Sequence, residues 1–337
     1  MSGSTARSRT RSPRPPVWTE RYDAKRDEPD VRSASDGARP NAVARQCRPC
    51  VLNKQIGGPM CELLGMSSSK PATLSLSLPR LAAHGGPPTL IRDGWGVAYY
   101  EGRDVRLIKD VGPADQSDWV RFVAAHDLRS TIVMAHIRKA TMGEPAYRNA
   151  QPFARELAGR MHVFSHNGWM PEMLTSPRFR LGRFAPIGET DSEQAFCNLL
   201  ERLQEVWSEP RAAPSLEARL SVVAAFASEL RPLGPANFLY SDGDALFAHG
   251  DRRKQLPTQT VEPPGLVFLQ RQCRFDENPS SQNGVVMASG DQMVSLVASV
   301  PLTDEQWQSF GQGDVIAFSG GRAVLRHSAD EERAYPL

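Results

Sequence analysis

Apolar residues recur at every second position in Asp93-Gly94-Trp95-Gly96-Val97-Ala98-Tyr99-Tyr100, which places Trp95, Val97 and Tyr99 on one face of a strand. Glu101-Gly102-Arg103-Asp104 then turns the chain into a second strand over Val105 to Ile108, so a hairpin is predicted. Thr131 to Ile137 and Met161 to Phe164 read as further strands, joined by a long polar loop from Arg138 to Gly159. A loop of that length inside a compact domain is usually functional. The period becomes helical at 117 to 127, at 191 to 206, where Phe196, Leu199, Leu200 and Leu203 share a face, and at 215 to 231. After Pro235 strands return: Phe238 to Tyr240, Ala245 to Ala248, Leu266 to Leu269, Val285 to Ala288, Ser295 to Ala298 and Val315 to Phe318. Strands, then helices, then strands indicate an α+β layered fold. No β-α-β alternation runs through the chain, which counts against a doubly wound parallel sheet, and no internal repeat is visible.

Residues 1–60 show almost none of this periodicity. They hold seven prolines, repeats such as Arg7-Ser8-Arg9-Thr10-Arg11-Ser12, and 12 Lys+Arg against 6 Asp+Glu. The rest of the chain holds 28 against 32, so the net charge of +2 is +6 followed by −4. Such a leader cannot bury a core and is expected to be disordered. It lacks a 7-residue apolar stretch for a secretory signal, and no run near 18 apolar residues occurs anywhere, which argues against a membrane span. A basic arm could bind nucleic acid or acidic surfaces, but it has few aromatics beyond Trp18 and Tyr22, so nucleic acid is not the favoured partner. Two histories of the leader are open. It is a start codon assigned too far upstream, with Gly57 and Gly58 as the in-frame trace of a purine-rich ribosome site, or it is a propeptide removed before Cys61. Either leaves 277 residues, 61–337, as one large domain or two small ones.

The five cysteines, Cys47, Cys50, Cys61, Cys197 and Cys273, are odd in number and form no regular framework, which points to a reducing compartment, the cytoplasm. Cys47-Arg48-Pro49-Cys50 has the spacing of a zinc half-site, yet no second C-x-x-C pair completes the four ligands that structural zinc needs. Cys61 is different because it directly follows Met60. If Met60 is the true start, removing one residue leaves a cysteine with a free α-amine. That amine titrates near pH 7.7 to 8.0 and a thiol near 8.5, so it can serve as the thiol's own base. With residues 1–60 attached the nitrogen is an amide and this chemistry is absent. The ordinary alternative, a buried apolar cysteine, suits Cys197 and Cys273.

Met60-Cys61-Glu62-Leu63-Leu64-Gly65-Met66, Asp93-Gly94-Trp95-Gly96, Ala135-His136-Ile137-Arg138, Ser165-His166-Asn167-Gly168 and Gly188-Glu189-Thr190-Asp191-Ser192-Glu193 stand in that order. Together they resemble the ordered motifs of class II glutamine amidotransferases, N-terminal-nucleophile hydrolases, and most closely the small stand-alone YafJ-like branch. The resemblance extends through Asn237 to Gly243 and Val300 to Thr303, covers nearly all of 60–337 and none of the leader. It implies a four-layer αββα sandwich, two antiparallel sheets between helical layers.

It also implies roles. Cys61 is the nucleophile on the side-chain amide of glutamine. Asn167 offers a side-chain N–H and Gly168 an unobstructed backbone N–H, which fits an oxyanion hole; read locally, Asn-Gly is instead a strong hairpin turn. Arg138 has the planar fork for an α-carboxylate, although a structural ion pair is the plainer reading. Asp191 offers a carboxylate to the α-ammonium, while Thr190 and Glu193 form a capping box beside it. Trp95 and Gly96 are expected to line the pocket, with core packing an equal explanation for Trp95. One departure stands out: Gln151, before Pro152, occupies the place where relatives commonly have histidine. A structural role is the plainer reading of the histidines and no G-x-x-x-x-G-K-S/T loop is present, so no metal, cofactor or built-in ATP use is expected. The expected function is hydrolysis of L-glutamine to glutamate and ammonia, with ammonia passed to a synthetase partner or released. The alternatives are hydrolysis of another γ-glutamyl amide, or a non-catalytic binding module that keeps its leader.

Overall fold

The computed structural model describes residues 61–74, 81, 93–126, 128–209, 212–255, 258–273, 286–287, 291–329 and 334–336. The leader, the Cys47/Cys50 pair and the outer residues of the strand expected at 285–288 lie outside them. The chain divides into Met1–Asn53 and Lys54–Leu337, and every element below belongs to the second unit.

Eight strands open the fold: β1 Glu62–Thr73, β2 Trp95–Glu101, β3 Asp104–Asp110, β4 Ser130–Ile137, β5 Phe153–Leu157, β6 Arg160–Gly168, β7 Ala236–Ser241 and β8 Leu246–Gly250. Among the described residues the first sheet runs Gln308–Ser309, Val267–Cys273, Gln292–Ala298, β1, β4, β2, β3. The second runs Ala334–Pro336, Arg322–His327, Asp314–Ser319, β8, β7, β6, β5. All these pairings are antiparallel.

Strand alternation sorts the side chains into layers. Leu63, Ala98, Ile132 and Met134 from the first sheet meet Val163, Leu239, Ala248 and Ile316 from the second in one apolar layer. The opposite face of the first sheet, with Leu64, Trp95, Val97 and Val133, packs on Val120 and Val123 of α1, Asp118–Ala125. The opposite face of the second, with Phe164, Phe238 and Phe247, packs on α2, Asp191–Val206, and α3, Leu216–Leu230. The result is the αββα sandwich of the α+β class.

Three features depart from the sequence reading. The segment expected as a loop from Arg138 to Gly159 contains β5, whose strand state comes from pairing with β6 at Phe153↔Phe164 through Leu157↔Arg160. Asn167-Gly168 is no hairpin turn; β6 runs through both, opposite Asn237 and Ala236 of β7. The capping box is only half formed. Thr190 Oγ1 accepts from the Glu193 N–H at 3.2 Å, but the Glu193 carboxylate reaches past the cap to the Gly188 N–H at 2.7 Å and pairs with Arg155.

Candidate active site

The register of β1 on β4 sets Glu62 opposite Ile137, so Cys61 meets the chain just after it leaves β4. There Cys61 Sγ donates to the Lys139 carbonyl at 3.2 Å and accepts from the Lys139 N–H at 3.1 Å. Burial pushes the thiol up to about 11; the Lys139 N–H and Arg138 oppose this, while Glu62 and Asp191 add to it. At that value only about one thiol in ten thousand is ionised at pH 7, so attack requires a base that takes the proton. A chain whose Cys61 nitrogen is an amide should therefore alkylate slowly at neutral pH. Its rate with iodoacetamide is expected to climb about tenfold per pH unit with no plateau below about pH 10, which peptide mapping at Cys61 would follow.

A small cleft, about 20 Å³ in volume and partly open to solvent, forms around Cys61. Arg138, Lys139, Gly168 and Asp191 line it. Strand ends bring them together: Arg138 extends β4, Gly168 ends β6, and Asp191 begins α2.

The Arg138 guanidinium folds onto its own loop. Nη1 donates to the Asp93 and Glu144 carbonyls at 3.1 and 3.2 Å, and Nη2 to those of Met142 and Gly143 at 2.8 and 3.1 Å. Burial lowers its pKa below the ordinary arginine value, against Cys61, Asp93 and Glu189, yet guanidinium stays charged. Those four bonds use every Nη hydrogen, so the planar fork expected for an α-carboxylate is already taken up by the loop, and what remains toward the cleft is the Nε–H and the charge itself. Asp191 Oδ2 accepts from the Met170 N–H at 2.6 Å, and Oδ1 from the Ser192 N–H and hydroxyl at 2.8 and 3.3 Å. A carboxylate has about four acceptor positions, so one remains for an ammonium group.

Asn167 Nδ2 donates to the Cys61 carbonyl and, at 3.4 Å, to Ser299 Oγ. Its amide is thus in contact with the residue that carries the cleft thiol. Gly168 is fixed sterically: a Cβ there would collide with the Pro235 carbonyl and lie 2.6 Å from His166 Nε2. Gly168→Ala is expected to lower the unfolding free energy by about 1 to 3 kcal/mol and to impair the site, since overpacking forces backbone shifts. Gly112→Ala, where nothing lies within 4 Å, is the control in thermal denaturation.

Trp95 and Gly96 lie outside the cleft lining. Trp95 is fully buried in the layer under α1, and Gly96 backs the cleft indirectly, since a Cβ on it would strike the Gln151 carbonyl. Sequence reasoning assigned no role to Lys139 or His166, or to Ser192, which follows Asp191. His166 Nδ1 lies 2.9 Å from Ser192 Oγ, and burial lowers its pKa against Asp191 and the Pro235 carbonyl. Its place in the Ser165–Gly168 motif was the available signal. Lys139 acts through its backbone, which no residue type reveals.

Among the described residues no group of three or more His, Cys, Asp or Glu gathers to hold a metal, and no helix is long and apolar enough to cross a membrane. Comparison with known proteins adds relatives. "Putative glutamine amidotransferase YafJ" of Escherichia coli (strain K12) is 36% identical over 267 residues, covering 79% of this chain and 100% of that protein. "Uncharacterized protein MJ1515" of Methanocaldococcus jannaschii is 32% identical over 271 residues, covering 79% and 71%. The crystal structure of a "predicted glutamine amidotransferase" from Pseudomonas aeruginosa PA01 superposes with a TM-score of 0.56 at 31% identity, covering 78% of this chain and 99% of that one. Glutamine phosphoribosylpyrophosphate amidotransferase from B. subtilis, with a TM-score of 0.50 and 14% identity over 82% of this chain and 49% of its own, shares the fold alone. The model of the family "Glutamine amidotransferases class-II" matches residues 60–336, and with a cysteine at the head of the first strand facing an arginine, an aspartate and the end of β6, the chain belongs to that family.

Proposed function

We propose that the chain, once Cys61 carries a free α-amine, hydrolyses the side-chain amide of L-glutamine. The amine takes the thiol proton as Sγ attacks the amide carbon, and the C–N bond breaks with the proton passing to the leaving ammonia. Water then cleaves the glutamyl thioester, giving glutamate and restoring the thiol. In this reading Asn167 and Gly168 stabilise the oxyanion, Arg138 holds the α-carboxylate and Asp191 the α-ammonium. The observation that carries it is Cys61 Sγ seated on the Lys139 backbone in one cleft with Arg138 and Asp191. Residues 61–337 are the catalytic domain, residues 1–60 are absent from the active form, and the enzyme works in the cytoplasm. Its ammonia goes to a synthetase partner or to solvent.

The test is purified chain beginning at Cys61, assayed for ammonia and glutamate and treated with a glutamine-mimicking electrophile. Turnover together with a mass adduct on Cys61 supports the reading, and the absence of both sinks it. Cys61, Arg138 and Asp191 all address the γ-glutamyl half of a substrate, which glutamine shares with N-substituted γ-glutamyl amides. A substrate panel separates these, with poor turnover of free glutamine favouring the substituted amides. Cells in which the working protein retains residues 1–60 would favour a non-catalytic module.

A further inference from the structure

β5 pairs with β6 only as far as Phe153↔Phe164. From Ser165 to Gly168, β6 keeps β7 on one side, and on the other a side chain takes the place of the missing strand. Gln151 Oε1 accepts from the His166 N–H at 2.6 Å, and Gln151 Nε2 donates to the His166 carbonyl at 3.2 Å. One primary amide thus presents the donor and acceptor that a neighbouring peptide would supply. The Gln151 backbone is itself held. Lys109 Nζ donates to the preceding Ala150 carbonyl at 2.8 Å, and the absence of a side chain at Gly96 lets the Gln151 carbonyl approach β2. Gln151 is buried and borders the cleft, and the two residues after His166 are Asn167 and Gly168.

We infer that Gln151 is a positioning residue, a side-chain substitute for a strand that fixes β6 at His166 and thereby sets the Asn167 and Gly168 donors against Cys61. This rests on the oxyanion role given to those donors above. Displacing catalytic groups by about 1 Å costs on the order of 100-fold in rate, so a hold of this kind matters to turnover.

Gln151→Glu tests it with a single proton. As a carboxylate the new side chain accepts from the His166 N–H but opposes the His166 carbonyl; as a carboxylic acid it donates to that carbonyl and restores both bonds. The titratable and charged groups around the position are Lys109 on β3, His136 on β4, Arg138 after it, Cys61, His166 on β6 and Asp191 on α2. Burial holds His136 at about 3 and Lys109 at about 8, the latter raised by Glu193 and lowered by Arg155, and burial also lowers His166. Wild type carries the same surrounding groups, so the ratio of variant to wild type within roughly pH 5 to 7 reads the introduced carboxyl.

The kcat of Gln151→Glu relative to wild type is expected to rise about tenfold as pH falls across that window, with KM little changed, while Gln151→Ala stays low throughout. A ratio that is flat with pH would overturn the inference. Hydrogen exchange at the His166 amide supplies a readout independent of turnover: slow in wild type, faster in Gln151→Ala, and in Gln151→Glu slowing relative to wild type toward acid. If wild type beginning at Cys61 shows no turnover, the functional reading fails while exchange still tests the clamp. Unchanged exchange in the variants refutes the clamp even where wild type is active. Should Gln151→Ala not fold, Gln151→Glu carries both readouts alone.

Discussion

A chain that begins at Cys61 is expected to release ammonia from L-glutamine about 100- to 10,000-fold faster than the chain carrying residues 1–60, the span that a positioned general base contributes. The cause lies in the thiol's surroundings. With its pKa pushed up to about 11, the Cys61 thiol is almost wholly protonated at neutral pH. Asp191 already accepts from Met170 and Ser192, and the His166 ring faces Ser192 through Nδ1. An α-amine two bonds from Cβ has the right basicity and cannot drift away. Coupled-enzyme detection of glutamate for both chains, with Cys61→Ala as the blank, decides the point. Equal rates would remove the α-amine from the mechanism.

The second large effect is expected at Asn167. Asn167→Ala should lower kcat by about 100- to 1000-fold, the usual loss when one oxyanion donor is removed, with KM changed far less. Its structural consequence should be small. The backbone at 167 remains paired with Asn237, whose Nδ2 donates to the Asn167 carbonyl at 3.3 Å, and the lost bonds to the Cys61 carbonyl and Ser299 are worth about 1 kcal/mol each. Steady-state kinetics and thermal denaturation together separate the two roles. A fall in stability large enough to explain the activity loss would count against the oxyanion assignment.

Strong periodicity carried most of the fold. The helix predicted over 191 to 206 is α2 to the residue, because an unbroken apolar face follows a good cap. The β2–β3 hairpin was readable from alternation and its glycine turn. β5 was not, because Phe-Ala-Arg-Glu-Leu buries only its two ends and becomes a strand through β6. At Asn167-Gly168 the local turn preference points one way and pairing with β7 prevails. Of the cleft, Cys61, Arg138, Gly168 and Asp191 were nameable from residue type and order. What the sequence concealed are the partners: Lys139 lies 78 positions from Cys61, and Gln151 grips a backbone 15 positions away. Gln151 was visible as an oddity, but its meaning depends on a peptide group that β5 leaves unpaired.

The strand that follows Cys61 lies inside its sheet, flanked by β4 and by Gln292–Ala298, whereas among the described residues Ala334–Pro336 is the edge strand of the other sheet, paired with Arg322–His327. For anyone handling the protein this fixes the workable end. On the proposed function, a purification tag, dye or surface linker placed before Cys61 would cap its α-amine and block turnover. The same attachment after Pro336 extends an outer strand and leaves the cysteine free.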